Sequence, residues 1–419
     1  MSRTSKRYGR VIAGSTALAL LLLLLSSVLY PDVSGNPASR FATIESLVER
    51  STWAIDDSSF LDSTVDFIQH EGHTYSSKPP LMPLIGTAIY GVTHSLTSWT
   101  FVENPVVTTT IVRLFLQILP FALFLFFFWR FLGHWMTSER ARVWVYVSVA
   151  LGSYVFGYSS KLNNHAPAAF LLFGAFFAAY LVARKNAHWW CWLASGSMAG
   201  LAVTFDLGAC PFLAGLGIYL LFVSPWRTLV LFGVAATVPL ALNLWLNVKI
   251  TGNPIPFYLQ SELYRFDGSY WDATSSYDAL DEPKWLYLFH MTFGHHGWFS
   301  MSPVLLLAFG GIGLLWSNQH RREAILLTTV AVFVFITYWL KTSNYGGGCG
   351  GMRWLIVTFP LWMLPVAKWL DLHIENRRRR WLFVGLAVIG ALHALPLVWD
   401  PWTRSPWHRL FQLFGLGSI

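Results

Sequence analysis

The chain has 419 residues; 54% are hydrophobic, 12% are charged and the formal net charge is +8. The charged fraction is about half the roughly 25% of ordinary soluble domains. The composition therefore excludes a soluble multidomain protein and predicts an all-α, polytopic membrane protein. The basic surplus does not indicate nucleic acid, because membrane proteins concentrate Lys and Arg in cytoplasmic loops. Three cysteines are too few for a disulfide framework.

Eleven apolar segments approach the roughly 20 residues that a membrane span needs. In chain order they are 11–30, 105–129, 143–160, 165–183, 189–205, 208–223, 228–248, 301–317, 324–340, 354–370 and 381–398. The first is interpreted as a retained span rather than a signal peptide, because its apolar run is long and no small-residue cleavage motif closes it.

A weaker twelfth segment, 81–97, contains Pro83, two glycines and His94. If it does not cross the membrane, the segments on the cytoplasmic side hold 17 of the 29 basic residues. If it crosses, every later basic cluster moves to the outer side, which the positive-inside rule disfavours. We therefore predict that 81–97 is a re-entrant or surface-lying helix on the outer side, with the N-terminus inside and the C-terminus outside.

This topology divides the chain into six parts. They are a cytoplasmic N-terminus with the first span (1–30), a first outer loop with amphipathic and re-entrant helices (31–104), a bundle of spans (105–248), a second outer loop (249–300), C-terminal spans with a glycine-rich outer loop at 341–353 (301–398) and an outer tail (399–419). The two long outer loops hold 15 of the 21 acidic residues and only 6 basic ones. Loops this long are usually functional or disordered, and we expect these to converge over one surface of the bundle.

In the first outer loop, residues 38–50 carry an apolar stripe at helical spacing and a charged opposite side. This pattern predicts an amphipathic helix in the interface plane. Four aspartates follow within eleven residues, at positions 56, 57, 62 and 66. One of them can serve as a general base, or together they form an ordinary solvated face. A divalent metal ion is left open at Asp56–Asp57.

Lys78 stands before two prolines that fix the backbone. An ammonium group held in this way at the membrane surface suits a lipid phosphate. The alternative is a lysine that extends to the interface without a ligand.

The second outer loop alternates aromatic and acidic residues, a composition that suits sugar rings or the packing of a lid. His295 and His296 are adjacent and point in different directions on any regular element, so they make a weak metal pair. The third outer loop has five glycines between Gly346 and Gly351, with Arg353 at its edge. Its backbone N–H groups can approach an anion closely, unless the run is only a flexible connector.

Charged and polar residues inside spans are costly and usually mark function. Arg113, Lys161, His165 and Asp206 all lie near the outer ends of their predicted spans. Their position beside the outer loops predicts a site at the outer surface. A transporter would instead place polar residues at mid-bilayer depth and use discontinuous helices.

Stretches along the whole chain carry a resemblance to a known superfamily: SRFATIESLVERSTWAID, HTYSSKPPL, VRLFL, NNHAPAAFLLFGA, GNPIPFY, HHGWFSMSPVLLL and NYGGGCGGMRWLIVTFPL. The chain resembles the GT-C membrane glycosyltransferases, and most of all a bacterial and archaeal group of the protein-mannosyltransferase and aminoarabinose-transferase branch. The resemblance implies a GT-C fold of about eleven spans. It also implies transfer of a sugar from a polyprenyl-phosphate donor to a hydroxyl acceptor, which can be a protein, a lipid or a glycan. The site would lie in the cell membrane and face the periplasm or exterior, and no cofactor is assigned.

In that branch an Asp of the first outer loop is the base, and a Lys in a Lys-Pro motif contacts the donor phosphate. Lys78 with Pro79 matches the second motif. The place of the Asp is taken here by Asn36, whose amide is no base, so Asp66 is the first candidate and Asp57 the second. Further candidates for the donor phosphate are Arg40, Arg113 and Arg353, and candidates for substrate binding are His73, Tyr75, His165, His295, His296 and Tyr345. The alternatives are a flippase of a lipid-linked sugar and a GT-C relative that only binds it.

Overall fold

The computed structural model describes residues 3–31, 33–272, 282–317 and 319–414. Its helices are α1 (Arg3–Leu29), α2 (Asn36–Glu49), α3 (Leu81–Thr97), α4 (Pro105–Trp135), α5 (Glu139–Gly152), α6 (Tyr154–Tyr158), α7 (His165–Lys185), α8 (Trp190–Phe205), α9 (Leu207–Leu221), α10 (Pro225–Thr251), α11 (Lys284–Thr292), α12 (Trp298–Met301), α13 (Pro303–Ser317), α14 (Arg321–Lys341), α15 (Arg353–His373), α16 (Arg377–Trp399) and α17 (Pro406–Leu413). Strands β1 (Phe67–His70) and β2 (His73–Ser76) form an antiparallel hairpin. Residues 273–281 of the predicted second outer loop and 415–419 of the tail lie outside the described residues.

The predicted all-α membrane architecture is confirmed. Within the described ranges, seven helices are long and apolar enough to cross a membrane: α1, α4, α7, α10, α14, α15 and α16. Helices α8, α9 and α13 are shorter and also apolar. The segment predicted at 143–160 is divided into α5 and α6, because Ser153 leaves the helical conformation and its hydroxyl caps α6 by accepting from the Phe156 N–H (3.1 Å). The inside and outside assignments stay predictions.

Small residues let neighbouring helices approach closely. A Cβ atom at Gly196 of α8 would lie 2.2 Å from the carbonyl oxygen of Phe232 in α10, and one at Gly200 would lie 2.4 Å from that of Ala236. Gly311 of α13 meets α15 in the same way, at 1.9 Å from a carbonyl oxygen. Close backbone contact of this kind is how helices associate in lipid, where apolar burial gives no preference for a protein neighbour.

Aromatic rings fill the core between α4 and α7. Phe124 stacks on Phe170, with ring centroids 4.9 Å apart, and meets Phe173 edge-on at 5.3 Å. The apolar core continues into the outer part, where Phe41 of α2 packs against Phe101 at 5.5 Å. The hydrophobic core thus continues from the bundle to α2.

Helix α2 departs from the sequence prediction of a helix with a solvated polar side. Eleven of its 14 residues are buried, and Arg40 and Glu45 are each 1% exposed. Glu45 accepts hydrogen bonds from the hydroxyls of Ser58 and Ser59 (2.5 and 2.6 Å). The charged side is buried because the loop after α2 folds back and supplies partners for Glu45, while the position of α2 in the interface plane stays a prediction.

Helix α3 has the bounds of the segment singled out at 81–97, and it packs against α2 and α4. Its 17 residues fall short of the roughly 20 that a span needs. Its position as a re-entrant or surface-lying helix stays a prediction.

The first and second outer loops pack on each other. Phe67 of β1 stacks on Phe266, with centroids 5.7 Å apart. The indole N–H of Trp271 donates to the carbonyl oxygen of Val65 (3.0 Å). The hairpin itself turns through Glu71 and Gly72, both with positive φ, as in the tight turns that match the twist of two strands.

Candidate active site

The hairpin β1–β2 brings Asp66 and Lys78 together. Asp66 precedes β1 and Lys78 follows β2, so antiparallel pairing places them side by side. Lys78 Nζ lies 2.8 Å from Asp66 Oδ1, and the two side chains are 13% and 12% exposed. Ser39 of α2 holds the base of the hairpin, since its hydroxyl donates to the Asp66 carbonyl oxygen (2.5 Å) and lies 2.6 Å from the hydroxyl oxygen of Ser76. The structure thus joins the candidate base and the candidate phosphate ligand that the sequence singled out.

Arg40, in the first turns of α2, lies deeper in the same region. Its Nη1 donates to the carbonyl oxygen of Asn36 (3.0 Å) and to the side-chain oxygen of that residue. Its Nη2 donates to the side-chain oxygen of Asn164, whose Nδ2 in turn donates to the Phe205 carbonyl oxygen (2.8 Å). The guanidinium is therefore fixed by neutral acceptors at the N-terminal ends of α2 and α7, and Asn164 is itself held by the C-terminal end of α8. The side-chain oxygen of Asn36 is thereby engaged by this cation.

Arg353 approaches the pair from the third outer loop, at the start of α15. Its guanidinium lies over the ring of Trp402, 5.1 Å from the centroid. Gly346 has φ +90°, and a Cβ there would lie 3.1 Å from both Cγ and Nε of Arg353. The glycine is needed both for its backbone conformation and for the space that the arginine occupies.

Arg40, Asp66, Lys78 and Arg353 act on one another electrostatically. Burial would raise the pKa of the Asp66 carboxyl, but the Lys78 ammonium and the two guanidiniums lower it below its ordinary value. Burial lowers the pKa of the Lys78 ammonium to about 8, with Asp66 opposing that change and the arginines adding to it. Burial also lowers the pKa of Arg40 to about 9, against the effect of Asp66. Three cationic side chains thus lie close together around Asp66, and a bound anion would reduce the repulsion between them.

His165 and Asp206 form a buried pair next to this group. His165 Nδ1 lies 2.6 Å from Asp206 Oδ2, and Asp206 Oδ1 accepts from the Gly208 N–H (3.0 Å). Both Arg40 and Arg353 are close enough to act on the charge of His165. The pair therefore adds an imidazole and a second carboxylate beside the cations.

A narrow pocket lies beside Lys78. It is lined by Thr43, Trp53, Tyr75, Ser76, Lys78, Pro80, Pro83, Ile250 and Phe257. Aromatic walls with one ammonium group suit a ligand that combines an apolar or sugar face with an anionic group. Tyr75, a predicted substrate residue, is part of this wall.

Three predicted site residues lie elsewhere. Asp57 is exposed on the turn that follows α2. His73 is paired with Asp56, with Nδ1 2.9 Å from Oδ2. Arg113 is buried and donates to the carbonyl oxygens of Ser27 (3.4 Å) and Pro31 (3.2 Å) at the end of α1. Of the two candidate bases, Asp66 is the one that the structure places among the cations.

The remaining predicted residues belong to a second buried group, which lies beside the glycine-rich loop and which we term the imidazole cluster. Its members are Glu282, His290, His295, His296, Tyr345 and His408. The ring of His296 stacks on Tyr345 at 4.7 Å, and the carbonyl oxygen of His296 accepts from the Met352 N–H (3.0 Å). Burial and neighbouring imidazoles lower the pKa of His296 to about 3 and that of His295 still further. The rings of His295 and His296 are therefore neutral at physiological pH.

Sequence reasoning did not single out Asn164, Glu282 or His290 as site residues. The sequence could have indicated Asn164, because this residue stands next to His165 at the start of α7 in the stretch NNHAP. It could not have indicated Glu282 and His290, since Glu282 precedes α11, His290 lies within it and His295 follows its end. No fixed spacing on a single helix joins the three residues.

No protein-family model and no curated protein matches this chain. Solved structures do match. ArnT from Cupriavidus metallidurans bound to undecaprenyl phosphate gives a TM-score of 0.59 at 15% identity, over 91% of this chain and 63% of that one. The same protein in the apo state gives 0.57 at 17% identity, over 90% and 62%. The apo oligosaccharyltransferase of Archaeoglobus fulgidus gives 0.50 at 14% identity, over 97% and 60%.

These solved proteins are GT-C glycosyltransferases, so the predicted GT-C fold is confirmed. The chain spans about three fifths of the length of each of them. The likeness concerns the arrangement of helices, because the identity is only 14–17%.

Proposed function

We propose that the protein is a membrane glycosyltransferase that moves a sugar from a polyprenyl-phosphate-linked donor to a hydroxyl acceptor at the outer face of the cell membrane. The observation that carries the proposal is the ion pair of Lys78 and Asp66, which lies among Arg40 and Arg353 at the edge of a pocket. The GT-C fold supports it, as does the undecaprenyl phosphate bound to ArnT, a protein of the same fold.

The cations first bind the donor phosphate. A phosphodiester carries one negative charge, and a second develops on it as the sugar departs. Lys78 and Arg353 stabilise this developing charge, and the buried Arg40 contributes from behind them. Phosphate is already a good leaving group, so the reaction needs positive charge at this place more than it needs an acid.

Donor binding also changes the base. In the free protein Lys78 keeps the pKa of Asp66 low, and a carboxylate with a low pKa is a weak base. When the donor phosphate attracts the Lys78 ammonium, Asp66 loses its closest partner and its pKa rises. The carboxylate therefore becomes a stronger base when the donor is in place.

The bond changes follow from this arrangement. The acceptor oxygen forms a bond to the anomeric carbon of the sugar, and the bond from that carbon to the phosphate oxygen breaks. The proton of the acceptor hydroxyl passes to Asp66, and polyprenyl phosphate leaves with both electrons of the broken bond. Tyr75 and the neighbouring aromatic walls hold the sugar or the first carrier carbons in the pocket.

A GT-C relative that binds the donor without transferring the sugar is the second candidate function. Asn36 favours it, because this amide stands in the place of the family's Asp and is bonded to Arg40. Such a protein would bind the donor as tightly as an enzyme does but would release no polyprenyl phosphate.

The test is a transfer assay with the full chain in lipid nanodiscs. Radiolabelled polyprenyl-phosphate sugars, mannose among them, are supplied as a panel, and release of polyprenyl phosphate is measured. We expect turnover by the wild type, a fall of at least about tenfold in Lys78→Ala and Asp66→Asn, and normal turnover in Asp57→Asn.

Four results would overturn parts of the proposal. Full turnover in Asp66→Asn would assign the base to another residue, and loss in Asp57→Asn would point to that residue. Donor binding without turnover by the wild type would support the binding-only candidate. In sealed liposomes, movement of the donor across the membrane without release of polyprenyl phosphate would identify a flippase.

A further inference from the structure

The imidazole cluster has no task in the proposed transfer. Its four histidines come from three parts of the chain, and each is at most 6% exposed. The rings of His290 and His295 are stacked with centroids 3.9 Å apart, and His408 of α17 lies 5.1 Å from His295. Histidine is only intermediate in its tendency to be buried, and the neutral imidazole is the commonest metal ligand in proteins.

The ligand atoms of three members converge. One carboxylate oxygen of Glu282 and one ring nitrogen each of His290 and His295 all lie within 4.8 Å of one another. Zinc bonds to nitrogen and oxygen are about 2.0–2.2 Å long, so tetrahedral ligands lie about 3.4 Å apart. Each atom would move inward by about 1 Å or less to reach one shared ion. Two imidazoles and one carboxylate, with a fourth position left for water, make a ligand set that zinc-class ions take.

We propose that Glu282, His290 and His295 bind one divalent transition metal ion of the zinc class.

Buried polar atoms at the same place support an ion site. The Oε2 atom of Glu282 accepts from the Tyr345 hydroxyl. Its Oε1 atom is buried and has no hydrogen-bond partner among the described residues. The same holds for both ring nitrogens of His408, a residue that is 5% exposed. Buried polar atoms without partners cost free energy, and an ion bound by Glu282 would remove this cost for its oxygen.

The backbone of the turn between α11 and α12 is shaped for the cluster. A Cβ at Gly294 would lie 2.3 Å from Nδ1 of His290, so only glycine leaves room for that ring. The Ser405 hydroxyl donates to the carbonyl oxygen of His295. The turn is thus held from the tail as well as from the glycine-rich loop, and His290 and His295 are oriented before any ion binds.

The site would fix the loop that carries Arg353. The carbonyl oxygen of His296 accepts from the N–H of Met352, the residue before Arg353. An ion that holds His295 and His290 therefore also restrains the start of α15. The proposed role is structural and positional, and it is separate from the acidic pair Asp56–Asp57, where the sequence left a divalent ion open.

The test measures metal binding without any sugar donor. The full chain in nanodiscs is stripped with a chelator and titrated with Co²⁺, whose visible absorption reports tetrahedral nitrogen and oxygen ligands; Zn²⁺ then displaces it. We expect one equivalent bound by the wild type and affinity weakened at least about 100-fold in Glu282→Gln and His290→Gln. His73→Gln is the matched control, since its imidazole is paired with a carboxylate outside the cluster, and it should bind like the wild type.

Thermal unfolding with and without Zn²⁺ supplies a second readout. Zinc should raise the Tm of the wild type and of His73→Gln but not that of Glu282→Gln, because only an ion bound to the folded state stabilises it. If His290→Gln fails to fold, Glu282→Gln decides. No binding by the wild type, or equal affinity in wild type and Glu282→Gln, would overturn the proposal. Loss of binding in His73→Gln would overturn it too, by assigning the ion to the acidic pair.

Discussion

Replacing Lys78 by arginine is expected to shift the alkaline limit of activity rather than to abolish activity. The pKa of Lys78 lies at about 8 because burial disfavours its ammonium form, whereas a guanidinium keeps its proton at far higher pH. As the pH rises through about 8, Lys78 becomes neutral and no longer attracts the donor phosphate. In kcat/KM, which reports the free enzyme, wild-type activity should halve near pH 8 and then fall about tenfold per pH unit.

The loss of kcat/KM on removing Lys78 at neutral pH follows from the strength of its interactions with charged partners. Two unit charges 2.8 Å apart attract by about 6 kcal/mol at an effective dielectric constant of 20. Desolvation offsets most of this energy, so a hydrogen bond from Lys78 to a charged phosphate contributes about 1.5–3 kcal/mol net. Lys78→Ala removes that bond and should lower kcat/KM about 10- to 150-fold at neutral pH.

In the alkaline range, Lys78 makes the free energy of unfolding rise with pH while activity falls. This difference separates loss of activity from unfolding. The pKa of Lys78 falls from the ordinary 10.5 to about 8 on folding. Between these two values the unfolded chain binds more protons than the folded chain, so this group makes the free energy of unfolding rise with pH. Activity should therefore decline near pH 8 while Tm does not.

The assay is the pH profile of kcat/KM in nanodiscs from about pH 6 to about pH 10, with thermal unfolding measured at each pH. Lys249→Arg, an exposed lysine at the end of α10, is the matched control and should keep the wild-type profile. If the alkaline limit of Lys78→Arg were identical to that of the wild type, deprotonation of Lys78 would not set this limit. A limit that coincides with a fall in Tm would contradict the prediction as well.

Three further predictions concern the base, the glycine-rich loop and the opposite end of the bundle. Asp66→Asn should lower kcat about 10²- to 10⁴-fold with donor affinity retained, as single-turnover kinetics and native mass spectrometry can show; unchanged kcat would contradict this. Gly346→Ala should raise KM for the donor more than Gly347→Ala does, because both have positive φ but only the first Cβ meets Arg353; equal KM values would contradict this. Glu323→Gln should lower the free energy of unfolding by about 1–3 kcal/mol without changing kcat, since this fully buried carboxylate accepts from an arginine of α7 and from a tyrosine of α9; thermal unfolding measures it, and an unchanged Tm would contradict it.

The sequence predicted those parts of the fold and site that depend on local pattern. Long apolar runs became helices, because a chain in lipid must satisfy its backbone hydrogen bonds within each segment. The meeting of Asp66 and Lys78 was also accessible, since only eleven residues and one tight turn separate them. The bounds of α3 followed from its apolar pattern alone.

Tertiary contacts decided the rest. The charged side of α2 looked solvated in the sequence, but Ser58 and Ser59 supply hydrogen bonds to Glu45 that no helical pattern reveals. The break at Ser153 was hidden because a single serine is compatible with an apolar helix. The imidazole cluster depends on His408 meeting His295 across more than one hundred residues, and no local spacing signals such a meeting.

A structure of the full chain in nanodiscs with undecaprenyl phosphate tests the central claim most directly. We expect the phosphate about 3 Å from Lys78 Nζ and from the Arg353 guanidinium. The Lys78–Asp66 ion pair, which is 2.8 Å long in the free protein, should be open, and the Asp66 carboxylate should be turned towards the pocket. A phosphate bound away from Lys78, or one bound there with the ion pair intact, would contradict this claim.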